Sequence, residues 1–213
     1  SEALKYISVC LEQYPLSYPL HCVSWMINQD DETRDRLLRV TGCRGINASL
    51  LAGWLLSIGQ KETAKTMLAM LDCQEAIPML WRAALSDVAS ERQHFISLAQ
   101  HCHTLRVRFP NTLDEVQMLQ KLDDSAFACY LLGCFWYSKR RYDEAVACWH
   151  ETLEEAPDYA PAHRLLGVYA WNKQHDSVRA MARLQQAVAL EPENARFRFE
   201  LDYLSKLTGT SVS

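Results

Sequence analysis

His101-Cys102-His103 is the densest group of potential metal ligands in the sequence. Successive residues of an α-helix point about 100° apart, so His101 and His103 diverge by roughly 200° and do not share one ion. A tetrahedral zinc site would need further ligands from other elements. Eight cysteines occur, at positions 10, 22, 43, 73, 102, 129, 134 and 148. None forms a CxxC pair, and most stand among apolar residues at helical spacing, where a free thiol behaves as a small hydrophobe. Cys129 and Cys134 lie five apart on one expected helix, about 500° around its axis, so they do not face each other. Adjacent carboxylates such as Asp30-Asp31 and Glu154-Glu155 suit helix starts and ends. The sequence has no Gly-rich phosphate loop, no HExxH and no GxSxG. These patterns predict no catalytic residues, no metal and no cofactor.

The 213 residues are 49% hydrophobic and 23% charged, an ordinary globular balance. The net charge is −4 and the sequence pI is about 6.0. Nucleic-acid binders show a basic patch and a high pI. The densest cationic run here is Lys139-Arg140-Arg141, which reads as a solvated helix end. No nucleic-acid partner is expected. No window approaches about 18 consecutive apolar residues, so no membrane helix is expected. Thiols at helical spacing point to a reduced, cytoplasmic setting. The start at Ser1-Glu2-Ala3, with no Met, suggests a piece of a longer protein, and residues 210–213 read as a frayed tail.

The elements that would position any functional side chain show a repeat. Residues 126–159 contain Leu132-Gly133, Trp136, Tyr142, Ala145, Trp149 and Pro157. From Ala160 the order recurs as Leu166-Gly167, Ala170, Ala180, Leu184, Ala187 and Pro192. Gly133 and Gly167 stand 34 residues apart, whereas Ala145 and Ala180 stand 35 apart. The second unit therefore holds one extra residue, expected within 173–178. Glycines and alanines at these places let two helices approach closely, and Pro157 and Pro192 end the second helix of each pair. Behind them, Phe197, Leu201, Leu204 and Leu207 keep helical spacing to Gly209, which suits a C-cap.

Upstream the pattern weakens. Residues 47–71 read as a degenerate hairpin, with Asn47 as N-cap and Gly59 at the turn. Helices are expected over 2–13, 31–40, 77–88 and 91–106. A Thr112-x-x-Glu115 capping box opens one more through Leu122. Residues 14–29 carry two prolines and resist assignment; Tyr14, Tyr18, Trp25 and Met26 there form a candidate apolar docking patch.

Over 126–192 these residues resemble the tetratricopeptide repeat family. The resemblance implies an all-α fold, a right-handed solenoid of antiparallel helix hairpins with about nine to eleven helices. Residues 1–124 would be irregular or degenerate helical repeats, 125–192 two tetratricopeptide repeats, and 193–209 a closing helix. In that family the first helix of each hairpin lines a concave face that reads a partner. Carried over, the first repeat offers Phe127, Tyr130, Cys134, Tyr137 and Ser138. The second offers Arg164, Val168, Trp171 and Asn172. The closing helix offers Arg196, Phe199, Tyr203 and Lys206. Aromatic and Arg side chains dominate binding hot spots, and Arg clamps carboxylates with two hydrogen bonds. An acidic or C-terminal peptide would fit such a lining.

Phe109-Pro110, Asp114-Glu115, His163-Arg164 and Phe199-Glu200-Leu201-Asp202 resemble, more narrowly, the helical region of a family of large bacterial proteins of unknown function. There the repeats follow a β-sandwich similar to aldose epimerases. This chain departs from the family at Arg164-Leu165, where Arg-Asn is expected. The resemblance implies a second role, as a scaffold for a carbohydrate-processing domain of the same polypeptide.

Overall fold

The computed structural model describes residues 2–42, 44–102 and 108–209. Among them thirteen α-helices and no strand occur. That exceeds the nine to eleven expected, in part because the proline-rich stretch 14–29 holds a helix and not a loop. The chain divides into two compact units, with the boundary after Lys121.

The first unit contains α1 (Glu2–Gln13), α2 (Tyr18–Asn28), α3 (Asp31–Thr41), α4 (Gly45–Ser57), α5 (Lys61–Leu71), α6 (Ala76–Leu85), α7 (Ala89–His101) and α8 (Leu113–Gln120). Pro19 lies within the first two positions of α2, where a missing N–H costs nothing because no intrahelical acceptor exists. Asn47 is not the cap of α4; that helix begins at Gly45, and the Asn47 amide reaches back to the Thr41 carbonyl at 2.8 Å. Gly59 does form the α4–α5 turn, at φ 75°. Helix α6 is the centre of the unit: Ile77, Met79, Leu80, Trp81, Ala83 and Leu85 are all buried, and it packs against α4, α5, α7 and α8.

The Thr112–Glu115 box is present, with the side chain of each residue bonded to the backbone of the other. Its Glu115 is 1% exposed. Arg108 donates to the Glu115 carboxylate and, at 2.9 Å, to Ser49 Oγ of α4, while Asn111 N–H donates to Glu115 Oε2 at 2.8 Å. A local capping signal thus also fastens α8 and its leading loop to α4.

The second unit contains α9 (Ala126–Ser138), α10 (Tyr142–Glu155), α11 (Ala160–Tyr169), α12 (Ser177–Leu190) and α13 (Ala195–Thr208). Thr152 Oγ1 lies 3.3 Å from the Ala126 carbonyl, and Gly133 sits against Ala145 and Trp149. The pair α9–α10 is therefore antiparallel. A Cβ on Gly133 would lie 2.3 Å from Trp149 Nε1 and 3.0 Å from the Ala145 carbonyl oxygen. Only glycine admits this approach, and it lets Trp149 bury completely, a contribution of about 2–3 kcal/mol. In the second hairpin Ala160 packs with Ala187, and Ala170 with Ala180 and Leu184.

The extra residue of the second hairpin is taken up at its first helix. After Tyr169 the helix widens into a π turn over Ala170–Gln174. Helix α13 then packs on α12, capped by the Asn194 side chain on Phe197 N–H and ended by Gly209 at φ 68°.

One local arrangement opens both α2 and α11. His21 Nε2 donates to the Pro15 carbonyl at 2.9 Å, and His163 Nε2 donates to the Pro157 carbonyl at 2.9 Å. Both imidazoles are buried. Each ties the first turn of a helix to the proline that ended the helix before it, so α1–α2 repeats the junction α10–α11.

Candidate partner-binding face

In the second unit α9 meets Tyr159, the residue just before α11, and α11 meets α13. Tyr130 of α9 meets Tyr159 edge-on at 5.2 Å between ring centroids. Burial pushes the Tyr130 hydroxyl above the ordinary phenol range, and the positive charge of Arg164 acts on it in the opposite sense. Arg164 of α11 in turn grips Glu200 of α13: Nε donates to Oε2 at 2.6 Å and Nη2 to Oε1 at 2.5 Å. Arg196 Nε adds a bond to Glu200 Oε1 at 3.1 Å. Burial by itself would raise the Glu200 carboxyl, but the bonds and charges of Arg164 and then Arg196 hold it below the usual range.

The residues expected to line a groove separate into three groups. Phe127 is fully buried and Tyr130 nearly so; both are core here, because the first helix of a hairpin is covered by its own partner helix. Tyr137 and Trp171 are half-buried. Tyr137 lies between Tyr142, at 5.2 Å, and Trp149, at 5.6 Å. Trp171 packs on the cluster of Ala180, Leu184 and Leu201. Asn172, Arg196, Phe199 and Lys206 are exposed. Phe199 is 68% exposed and lies nearly parallel to Tyr203, with centroids 6.3 Å apart. Lys206 pairs with Asp202 at 2.6 Å.

Arg164 is therefore not a vacant carboxylate clamp. Its fork is occupied by Glu200, which the sequence reading did not assign to the site. The spacing of Arg196 and Glu200, four apart on one helix, was the available signal. Leu207, 55% exposed, extends the Phe199–Tyr203 stripe.

The cysteines of this unit are poor nucleophiles. Burial raises Cys129 and Cys148 to about 11 and Cys134 to about 12, so the reactive thiolate is scarce. Among the described residues no group of three or more His, Cys, Asp or Glu is arranged to hold a metal. His103, part of the His-Cys-His cluster, lies outside the described residues. Among the described residues no helix is long and apolar enough to cross a membrane.

Residues 126–159, the α9–α10 hairpin and the loop after it, match the sequence model of the tetratricopeptide repeat. Repeats of this kind serve as protein-interaction scaffolds. Several solved structures are similar over most of the chain. A double mutant of MamA RS-1 shares 17% identity over 77% of this chain and 84% of its own, with a TM-score of 0.40. YrrB, described as a TPR protein with an unusual peptide-binding site, shares 14% over 92% and 97%, with a TM-score of 0.41. The Cut9–Hcn1 hetero-tetramer of the APC/C shares 12% over 95% of this chain and 46% of its own, with a TM-score of 0.40.

Proposed function

We propose that the chain holds a polypeptide, a peptide or a neighbouring domain, on the face formed by α9, α11 and α13, with Phe199 and Tyr203 as anchors. The repeat at 126–159 supports a protein-interaction module in the broad sense. The observation that carries the finer reading is the exposed, stacked Phe199–Tyr203 pair beside the Arg164–Glu200 bridge. Large aromatic side chains left in water on a rigid helix are the groups that binding desolvates most profitably. Tyr137, Trp171 and Asn172 continue the face toward α10 and the π turn. An acidic flank on the partner would meet Arg196 and Lys206, which share carboxylates within α13 but are far more exposed than Arg164.

A peptide-array screen on the chain, followed by titration of the hits, tests this reading. Phe199→Ala is expected to weaken a hit about tenfold or more and to leave the melting temperature unchanged. Failure of every peptide and every neighbouring domain to bind, or full binding by Phe199→Ala, overturns it.

A second reading, support of a carbohydrate-processing domain in the same polypeptide, is favoured by one observation. Tyr6, Val9, Tyr14 and Leu16, on and just after α1, are all more than half exposed. Exposed apolar side chains close together in sequence suit a domain contact. Tyr14 belongs to the patch expected from 14–29, whereas Tyr18, Trp25 and Met26 are half-buried.

A further inference from the structure

Helix α13 buries Phe197, Leu201, Leu204 and Ser205. On its other side Phe199, Tyr203 and Leu207 are 68%, 56% and 55% exposed. They are spaced four apart and form one ridge of the kind that packs into the grooves of another helix.

The ridge is also its own complement. A two-fold axis through Tyr203, with two copies of α13 antiparallel, sets Phe199 of each copy opposite Leu207 of the other. The two Tyr203 rings meet at the axis. Asp202 and Lys206 lie on one flank of the ridge, already paired at 2.6 Å within the helix. The same axis brings Lys206 of each copy beside Asp202 of the other, so the flank becomes an alternating set of two cations and two anions. Closed two-fold dimers need this property, a patch that matches itself in shape and in charge.

From this self-matching pattern we infer that the partner of the α13 ridge is a second copy of the chain, docked through an antiparallel α13–α13 contact. The inference rests on the reading that this face binds protein, and it names one occupant. One helix per copy is a small contact, at the low end of interface sizes. The dimer is therefore weak and forms at high micromolar concentration.

Sedimentation velocity over rising concentration of the full chain is the test. The wild type is expected to shift from monomer to dimer. Tyr203→Glu is expected to stay monomeric while its far-ultraviolet circular dichroism is unchanged. Lys206→Glu is expected to weaken the dimer about tenfold, since two cross-pairs each turn repulsive. The reversed pair, Asp202→Lys with Lys206→Glu, is expected to restore the dimer to within about threefold. A monomeric wild type, a Tyr203→Glu chain that dimerises normally, or a reversed pair that fails to recover, each overturns the inference. Array peptides that bind through Phe199 on a monomeric chain would sink the dimer and leave the peptide-holding role standing. A dimer that binds no peptide or domain would do the reverse.

Discussion

Arg164 and Glu200 stand 36 residues apart and share two hydrogen bonds, of 2.6 and 2.5 Å. Their side chains are only 13% and 22% exposed. The pair joins α11 to α13 across the face that would read a partner, so it fixes the spacing of that face and also consumes its most obvious anion receptor. Arg164→Ala leaves Glu200 partly desolvated with only Arg196 beside it. A loss of about 2 kcal/mol is expected, seen as a lower urea midpoint. If peptide affinity falls while the midpoint holds, Arg164 contacts the partner directly.

The same pair sets a pH dependence. The Glu200 carboxyl is held below its usual value in the folded chain, and in the unfolded chain it returns to about 4.3. Its contribution is therefore present above that value and lost as pH falls through the folded value. Melting temperatures of wild type and Glu200→Gln should differ at pH 7 and converge as pH falls below the ordinary carboxylate range. Asp87 is also lowered, to about 2, by hydrogen bonds from Lys61 and Lys65. It is a surface group, so Asp87→Asn should leave the melting temperature nearly unchanged.

Gly133→Ala tests the close approach inside the first repeat. The added methyl meets the Trp149 ring and the Ala145 carbonyl, and the second of these is backbone that cannot swing away. A cost of about 2–3 kcal/mol is expected. Gly59→Ala meets nothing within 4 Å but is strained at φ 75°, for a smaller cost of about 1 kcal/mol. Chemical denaturation of the two variants side by side should rank them in that order.

Glu115→Ala should be more harmful than Thr112→Ala. Losing Thr112 removes a helix cap, about 1 kcal/mol. Losing Glu115 also strips Arg108 of its carboxylate partner, leaving it Ser49, and leaves the Asn111 N–H without its side-chain acceptor, about 3 kcal/mol in all. Thermal unfolding of both variants checks the ranking.

Much of the architecture was legible because it is written in local spacing. Gly133, Ala145 and Pro157 recur one repeat later, and Thr112 and Glu115 announce their helix three residues apart. Residues 14–29 were not, because proline reads as a breaker until its position in the first turn is known. The face was legible in part. Phe199, Arg196 and Lys206 are exposed as their spacing implied, but position in a repeat does not reveal how deeply a partner helix covers Phe127. Nor does it reveal that Glu200 fills the fork of Arg164, since that contact depends on where α13 comes to rest.

The π turn at Ala170–Gln174 lets the chain change its numbering without changing its stacking. One inserted residue is swallowed by a wider coil, so Ala180 of α12 still packs with Ala170 at the start of that coil, as an uninterrupted repeat would. Counting from the first repeat therefore slips by one beyond Gln174, although the bodies in space do not. Trp171 and Asn172 sit inside that widened coil, so their side chains leave the helix at angles that no consensus position describes. An alignment-based transfer of binding residues would misplace those two first.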